Sequence, residues 1–274
     1  MSKDLFDNSC LTQRQSRFDL CFHESSFLFE AVLSQIKERL MLLRRTFTSI
    51  LIFVDGHRDM SLKKLMREIY PDARLIIHSP YESWDCSDVD LIVSDPLLHW
   101  LNDLPSFIHQ CRQALLPDGF FLGTLFGGKT LTELRDSFLK AELAVEGGAT
   151  PRVIPMAHLY DMAHLMQKAG FALPVVDREE IIVKYTSPIG LLKDLRHMGE
   201  ANRLHSRRKY FSRRDTINKM VAYYMQNHQD GDSKICATFE IHTLSGWSPD
   251  ISQQKPLKRG SAKSSLKRML EGLE

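Results

Sequence analysis

The chain has 274 residues, 43% of them hydrophobic and 26% charged; that balance builds one sizeable core with appendages and excludes wholesale disorder. Lys and Arg total 36 against 34 Asp and Glu, a formal charge of +2, so no overall basic excess marks a dedicated nucleic-acid binder. No run of about 18 apolar residues is present to cross a bilayer, and the 5 cysteines, scattered and without a Cys-x-x-Cys pair, read as reduced thiols rather than a disulfide framework or zinc ribbon.

The sequence opens with acids at Asp4 and Asp7 and shows no apolar or Arg-rich leader, which reads as a cytoplasmic protein. Leu28, Ala31, Val32, Ile36, Leu40 and Leu43 recur at steps of three and four and predict an amphipathic helix within an N-terminal extension over 1–46. Ile50 to Val54 is continuously apolar and rich in β-branched residues, a buried strand, and a helix follows over 62–69. The alternation returns in Arg74 to His78, Val89 to Val93, a helix with Phe107, Ile108, Cys111 and Leu115, and Phe120 to Gly123. Strand and helix in this succession predict a parallel sheet.

Pro117-Asp118-Gly119 reads as the tight turn between that helix and its strand. Leu131, Leu134, Phe138, Ala141 and Val145 predict a long helix stopped by Gly147-Gly148, with Glu133, Arg135 and Glu142 on its polar face. Two late strands, Glu180 to Tyr185 and Ala237 to His242, flank helical stretches near 189–198 and 217–224; they predict an antiparallel pair around a helical insertion at about 186–230. Arg203, Arg207, Arg208, Lys209, Arg213 and Arg214 crowd around Tyr210 and Phe211, a window that reads as a solvated loop, with an acidic protein surface or nucleic acid as the other reading. Residues 251–274 form a basic, flexible tail able to touch a membrane surface peripherally.

In an open parallel sheet ligands bind beyond the carboxyl ends of the strands. Those ends carry Asp55-Gly56-His57-Arg58-Asp59, His78-Ser79, and Ser94-Asp95 leading into His99-Trp100. Three histidines, His57, His78 and His99, stand on this rim, but scattered rim histidines are ordinarily solvated or bonded to loops, and no metal is assigned. Only Ser79 to Asp88 joins the second strand to the third, too short for the helix, strand and loop expected there, so one βα unit is missing.

The remaining strings are more specific. They are Leu97 through Pro105, Leu116 through Gly119, Phe126-Gly127-Gly128-Lys129-Thr130-Leu131-Thr132-Glu133-Leu134-Arg135, Pro151-Arg152, Met198-Gly199-Glu200-Ala201-Asn202, and Gly246-Trp247 with Gln253 to Pro256. On these strings most of the chain resembles the methyltransferase-fold complex I assembly factors that act as arginine hydroxylases, relatives of the malonyl-carrier-protein methyltransferases of biotin synthesis. The resemblance implies a class I S-adenosylmethionine-dependent methyltransferase-like (Rossmann-like) α/β three-layer sandwich over 47–250, here short of one strand. It implies a protein substrate, a complex I subunit, whose arginine is modified or which receives a methyl group, and no specific nucleic-acid partner.

His99, Trp100, Glu133 and Arg135 would then form the substrate site, with the Trp100 indole face stacking on a guanidinium. S-adenosylmethionine would lie at Asp55, Gly56, His57, Ser79 and Ser94. The family places a glycine-rich turn and a ribose-binding acid at the first two strand ends; this chain keeps one glycine and offers His78-Ser79. The expectation is therefore a degenerate cofactor site, and the alternative is a binding-only assembly factor.

Overall fold

The computed structural model describes residues 4–7, 27–55, 59–254 and 260–261. Helix α1 (Phe27–Leu42) buries Leu28, Phe29, Val32, Ile36 and Leu40, the stripe its spacing predicts. Strands β1 (Ser49–Phe53), β2 (Arg74–His78) and β3 (Val89–Ser94) alternate with α2 (Asp59–Ile69), and α3 (Leu104–Ala114) leads into β4 (Leu115–Phe126). Then come α4 (Thr132–Glu146), α5 (Leu159–Lys168), β5 (Ala172–Tyr185), α6 (Pro188–His197), α7 (Arg214–Asn227) and β6 (Ile235–Trp247).

The six strands lie in the order β2-β1-β3-β4-β6-β5. The first four are mutually parallel, whereas β6 runs antiparallel to both β4 and β5. This is the expected class I methyltransferase-like arrangement, short of one strand beyond β2, with the late antiparallel pair enclosing α6 and α7.

Side-chain alternation divides the core in two. Ile50, Ile52, Leu91, Val93 and Leu122 face α1, α2, α4, α6 and α7, while Leu51, Phe53, Ile92, Phe121 and Leu125 face α3 and α5. The second face lacks the helix that a full βα unit would lay on it. Trp84, from the loop 79–88, fills that place: its ring packs 5.0 Å from Phe53 and 6.2 Å from Phe107, and Gln110 donates to its carbonyl at 2.9 Å.

Three elements differ from expectation. Pro117-Asp118-Gly119 lies inside β4 rather than before it. Asp118 adopts φ 59° as the register with β3 shifts, and Asp118 and Gly119 exchange backbone bonds with Ser248 at 3.1 and 2.7 Å. Strand β5 begins eight residues before Glu180: as an edge strand it tolerates the charged run Asp177 to Glu180, which hides its period. Helix α5 was not anticipated, because only Met162 and Met166 are fully buried on it. Cys86, Cys111 and Cys236 are free thiols; Cys10 and Cys21, and nearly all of the basic tail, lie outside the described residues.

Candidate functional site

Beyond β3 the chain makes a short 3-10 turn, Leu98–Trp100, with all three side chains buried. The Trp100 Nε1–H donates to Oε2 of Glu200 at 3.0 Å, and His99 Nε2 lies 3.0 Å from the same oxygen. The Phe126 amide approaches His99 Nδ1 at 3.5 Å, an acceptor role that leaves the ring proton on Nε2 for Glu200.

Glu200 reaches this place through the end of α6. Gly199 takes φ +75°, its amide bonds back to Arg196 at 3.2 Å, and the Glu200 amide bonds to Leu195 at 2.8 Å. That pair of bonds is a Schellman cap, which needs a residue free to adopt the left-handed region at Gly199. The Met-Gly-Glu string is thus a helix stop that aims a carboxylate.

The Gly-Gly string acts from the opposite wall. The Gly127 amide donates to Glu240 at 2.7 Å and the Leu131 amide to Thr238 at 2.8 Å; a side chain at Gly127 would overlap Glu240 and His242. Glu133 bonds the Thr238 hydroxyl and amide, so it ties α4 to β6. Arg135 donates to the Ile154 carbonyl at 3.3 Å.

Between these walls lies a cavity of about 320 Å³. Trp100, Phe126, Leu134, Phe138, Ile154 and Phe239 give it apolar sides, and Glu200, Arg152, Arg207 and Arg208 give it polar ones. Of the four residues expected to form the substrate site, Trp100 lines it directly. His99 acts on it through Glu200, and Glu133 and Arg135 stand behind its walls.

Glu142 is buried rather than on a polar face, with 1% exposure. It accepts from the Thr150 amide at 2.6 Å and from Arg152 Nε at 2.6 Å, and Arg208 lies 3.7 Å away. Arg208 pairs with Glu146 at 2.7 Å, holding that carboxyl below its usual range, and its guanidinium stacks 4.2 Å over Tyr210. The basic window therefore divides: Arg203, Arg207 and Arg208 turn inward to partners, while Lys209, Phe211, Arg213 and Arg214 stay exposed as a solvated loop would. Arg203 is buried, its guanidinium 4.4 Å over the Trp100 ring, so an indole face expected to stack on a substrate arginine already carries one of the chain's own.

Sequence reading named neither Glu200 nor Arg152 as site residues, although both stood inside the quoted strings; a buried carboxylate and its donors become visible only when α6 and β3 meet. On the cofactor side, Ser94 is buried and donates to the Asp95 carbonyl at 3.0 Å. Ser79 accepts from the Tyr81 amide at 3.4 Å, and Asp55 is half-buried after β1. Gly56 and His57, which carried the expectation of a degenerate turn, lie outside the described residues. Strand β2 ends in His78-Ser79 with no acid at its tip, and Glu82 and Asp85 stand further along the loop that follows. Among the described residues no group of three or more His, Cys, Asp or Glu side chains is placed to hold a metal.

No family model matches the chain. It is 33% identical to the mitochondrial arginine-hydroxylase NDUFAF5 of Danio rerio over 286 aligned residues, covering 96% of this chain and 88% of that protein. The chain belongs to the arginine-hydroxylase NDUFAF5 family. It is also 44% identical to the Dictyostelium discoideum NDUFAF5, covering 66% of this chain and only 42% of that protein's length. Similarity extends to the malonyl-[acyl-carrier protein] O-methyltransferase of Xylella fastidiosa, 32% identical over 66% of this chain and 57% of that one.

These relatives correct one expectation. The NDUFAF5 proteins are named as mitochondrial, which overturns the cytoplasmic reading. Of the early acids on which that reading leaned, Asp7 serves the fold, pairing with Arg207 at 2.9 Å.

Proposed function

We propose that this NDUFAF5-family chain acts, like its named relatives, as an arginine hydroxylase on a protein substrate, with a complex I subunit as that substrate and complex I assembly as its setting. The reading is supported by family membership and carried by one observation, the buried Glu200 carboxylate held in a single orientation by His99 and Trp100 beside an aromatic-walled cavity. Apolar walls suit the methylene stem of an arginine, and a carboxylate fixed by two N–H donors suits its guanidinium, a charge-assisted pairing.

Hydroxylation converts a C–H bond of that stem to C–OH and draws on an oxidant and electrons from outside the chain. What the residues do is hold and orient. Glu200 takes the guanidinium, Trp100 and Phe126 border the stem, and the Glu142–Arg152 pair keeps the α4 wall in place. Methyl transfer gains no support from the described strand ends, and the named activity of the relatives gives none to a binding-only factor.

N-acetyl-arginine amide and its citrulline counterpart test the reading by calorimetric titration. The arginine probe should bind the unsubstituted chain, and Glu200→Gln should weaken it about ten- to a hundredfold, the worth of a hydrogen bond to a charged group, while leaving the citrulline probe unchanged. Equal affinity of both chains for the arginine probe would overturn the assignment.

A further inference from the structure

Beside the cavity, the segment Asp4–Asp7 lies across residues 203–205 as an extended peptide. The Asp7 amide donates to the Arg203 carbonyl at 2.8 Å and the His205 amide to the Leu5 carbonyl at 3.0 Å, with Phe6 bridged antiparallel to Leu204. The Asn102 side chain reads the same backbone from the other side, accepting from the Phe6 amide at 2.8 Å and donating to the Phe6 carbonyl at 3.1 Å. Four backbone bonds thus hold the segment, and just two side chains anchor it. Phe6, 4% exposed, sits among Trp100, Ile154 and Leu204, its ring 5.3 Å from the indole in an edge-on packing; Asp7 pairs with Arg207.

We infer that this is a peptide-reading groove, filled here by the chain's own Leu5-Phe6-Asp7, and that it accepts an extended protein segment with an apolar residue, an aromatic and an acid in succession. Two features argue for an exchangeable occupant. Recognition by backbone bonds plus a socket and a cation is strand addition, in which main-chain bonds give affinity and the sockets give preference. The groove also shares Trp100 and Arg207 with the cavity wall, so an occupant that leaves removes the edge contact on the same indole that holds Glu200. The segment is a displaceable plug, and because it belongs to the same chain it competes with a free peptide intramolecularly. The inference does not rest on the arginine reading, because its test needs neither turnover nor an arginine probe.

The experiment uses the full chain and the fluorescein-labelled peptide acetyl-Asp-Leu-Phe-Asp-amide, followed by polarisation. Phe6→Ala combined with Asp7→Ala empties the socket without touching the groove, and this variant should bind the peptide at least about tenfold more tightly than the unsubstituted chain. Adding Asn102→Ala should abolish the gain. Hydrogen exchange on the unsubstituted chain supplies a measurement that needs no variant: excess peptide should expose the Asp7 amide while the His205 amide stays protected by its replacement. Equal affinity of the two chains, a gain that survives Asn102→Ala, or exchange at Asp7 unmoved by saturating peptide would each overturn the inference.

Discussion

At the β1–β2 end of the sheet's carboxyl rim, the described groups turn inward: Ser79 takes an amide two residues on, and Trp84 plugs the face left bare by the missing helix. At the β3–β4 end, carboxylates and guanidiniums surround a cavity: Glu142 meets Arg152, Glu146 meets Arg208 and Asp7 meets Arg207, while Glu200 is held by the N–H groups of His99 and Trp100. The first half is a repaired wall, and the second is the candidate site. The contrast teaches that losing a βα unit leaves a packing problem, which an aromatic can solve, whereas a buried charge set persists only where every member has its partner.

Trp84→Ala should break the repaired wall outright, costing about 3–5 kcal/mol as a large buried ring is deleted, read as a lowered urea midpoint. Binding of N-acetyl-arginine amide by the folded fraction should be unchanged; a lost affinity would mean that the two halves are not independent. Glu142→Gln tests the other half. It keeps shape but removes the counter-charge of Arg152, so about 1.5–3 kcal/mol of stability should go, and here arginine binding should weaken too.

The smallest effect concerns His242, buried against Glu240 at 2.7 Å. Burial pushes its imidazole below the ordinary value, against the opposing pull of Glu240. Folding therefore favours the neutral ring. As pH falls below about 6.5, the unfolded chain takes up the proton first and stability is lost from there down to the folded-state value, while above that pH the contribution is complete. His242→Gln should flatten the stability curve in that window; an unaltered slope would show that the ring titrates alike in both states.

Much of the sheet was legible because buried parallel strands read as apolar runs such as Ile50 to Val54, and because the ten-residue link from Ser79 to Asp88 could not house a helix and strand. The edge strand β5 was only half legible, since one exposed side and the run Asp177 to Glu180 blur its period. At the site, the strings were visible while their roles were not. Glu133 carries a charge and sits in a specific string, yet it serves β6; Glu200 sits in another and meets His99 and Trp100 from about a hundred positions away.

The order of residues alone determined the layered fold, its missing unit and its family likeness, since period, breaker residues and local strings depend on neighbours along the chain. Tertiary structure decided which charges are buried and what they touch. Arg203 over Trp100, Phe6 at its edge and Glu200 on its N–H come from three distant segments, and a charge acquires its partner, and so its use, only when folding removes the water that would otherwise have served both.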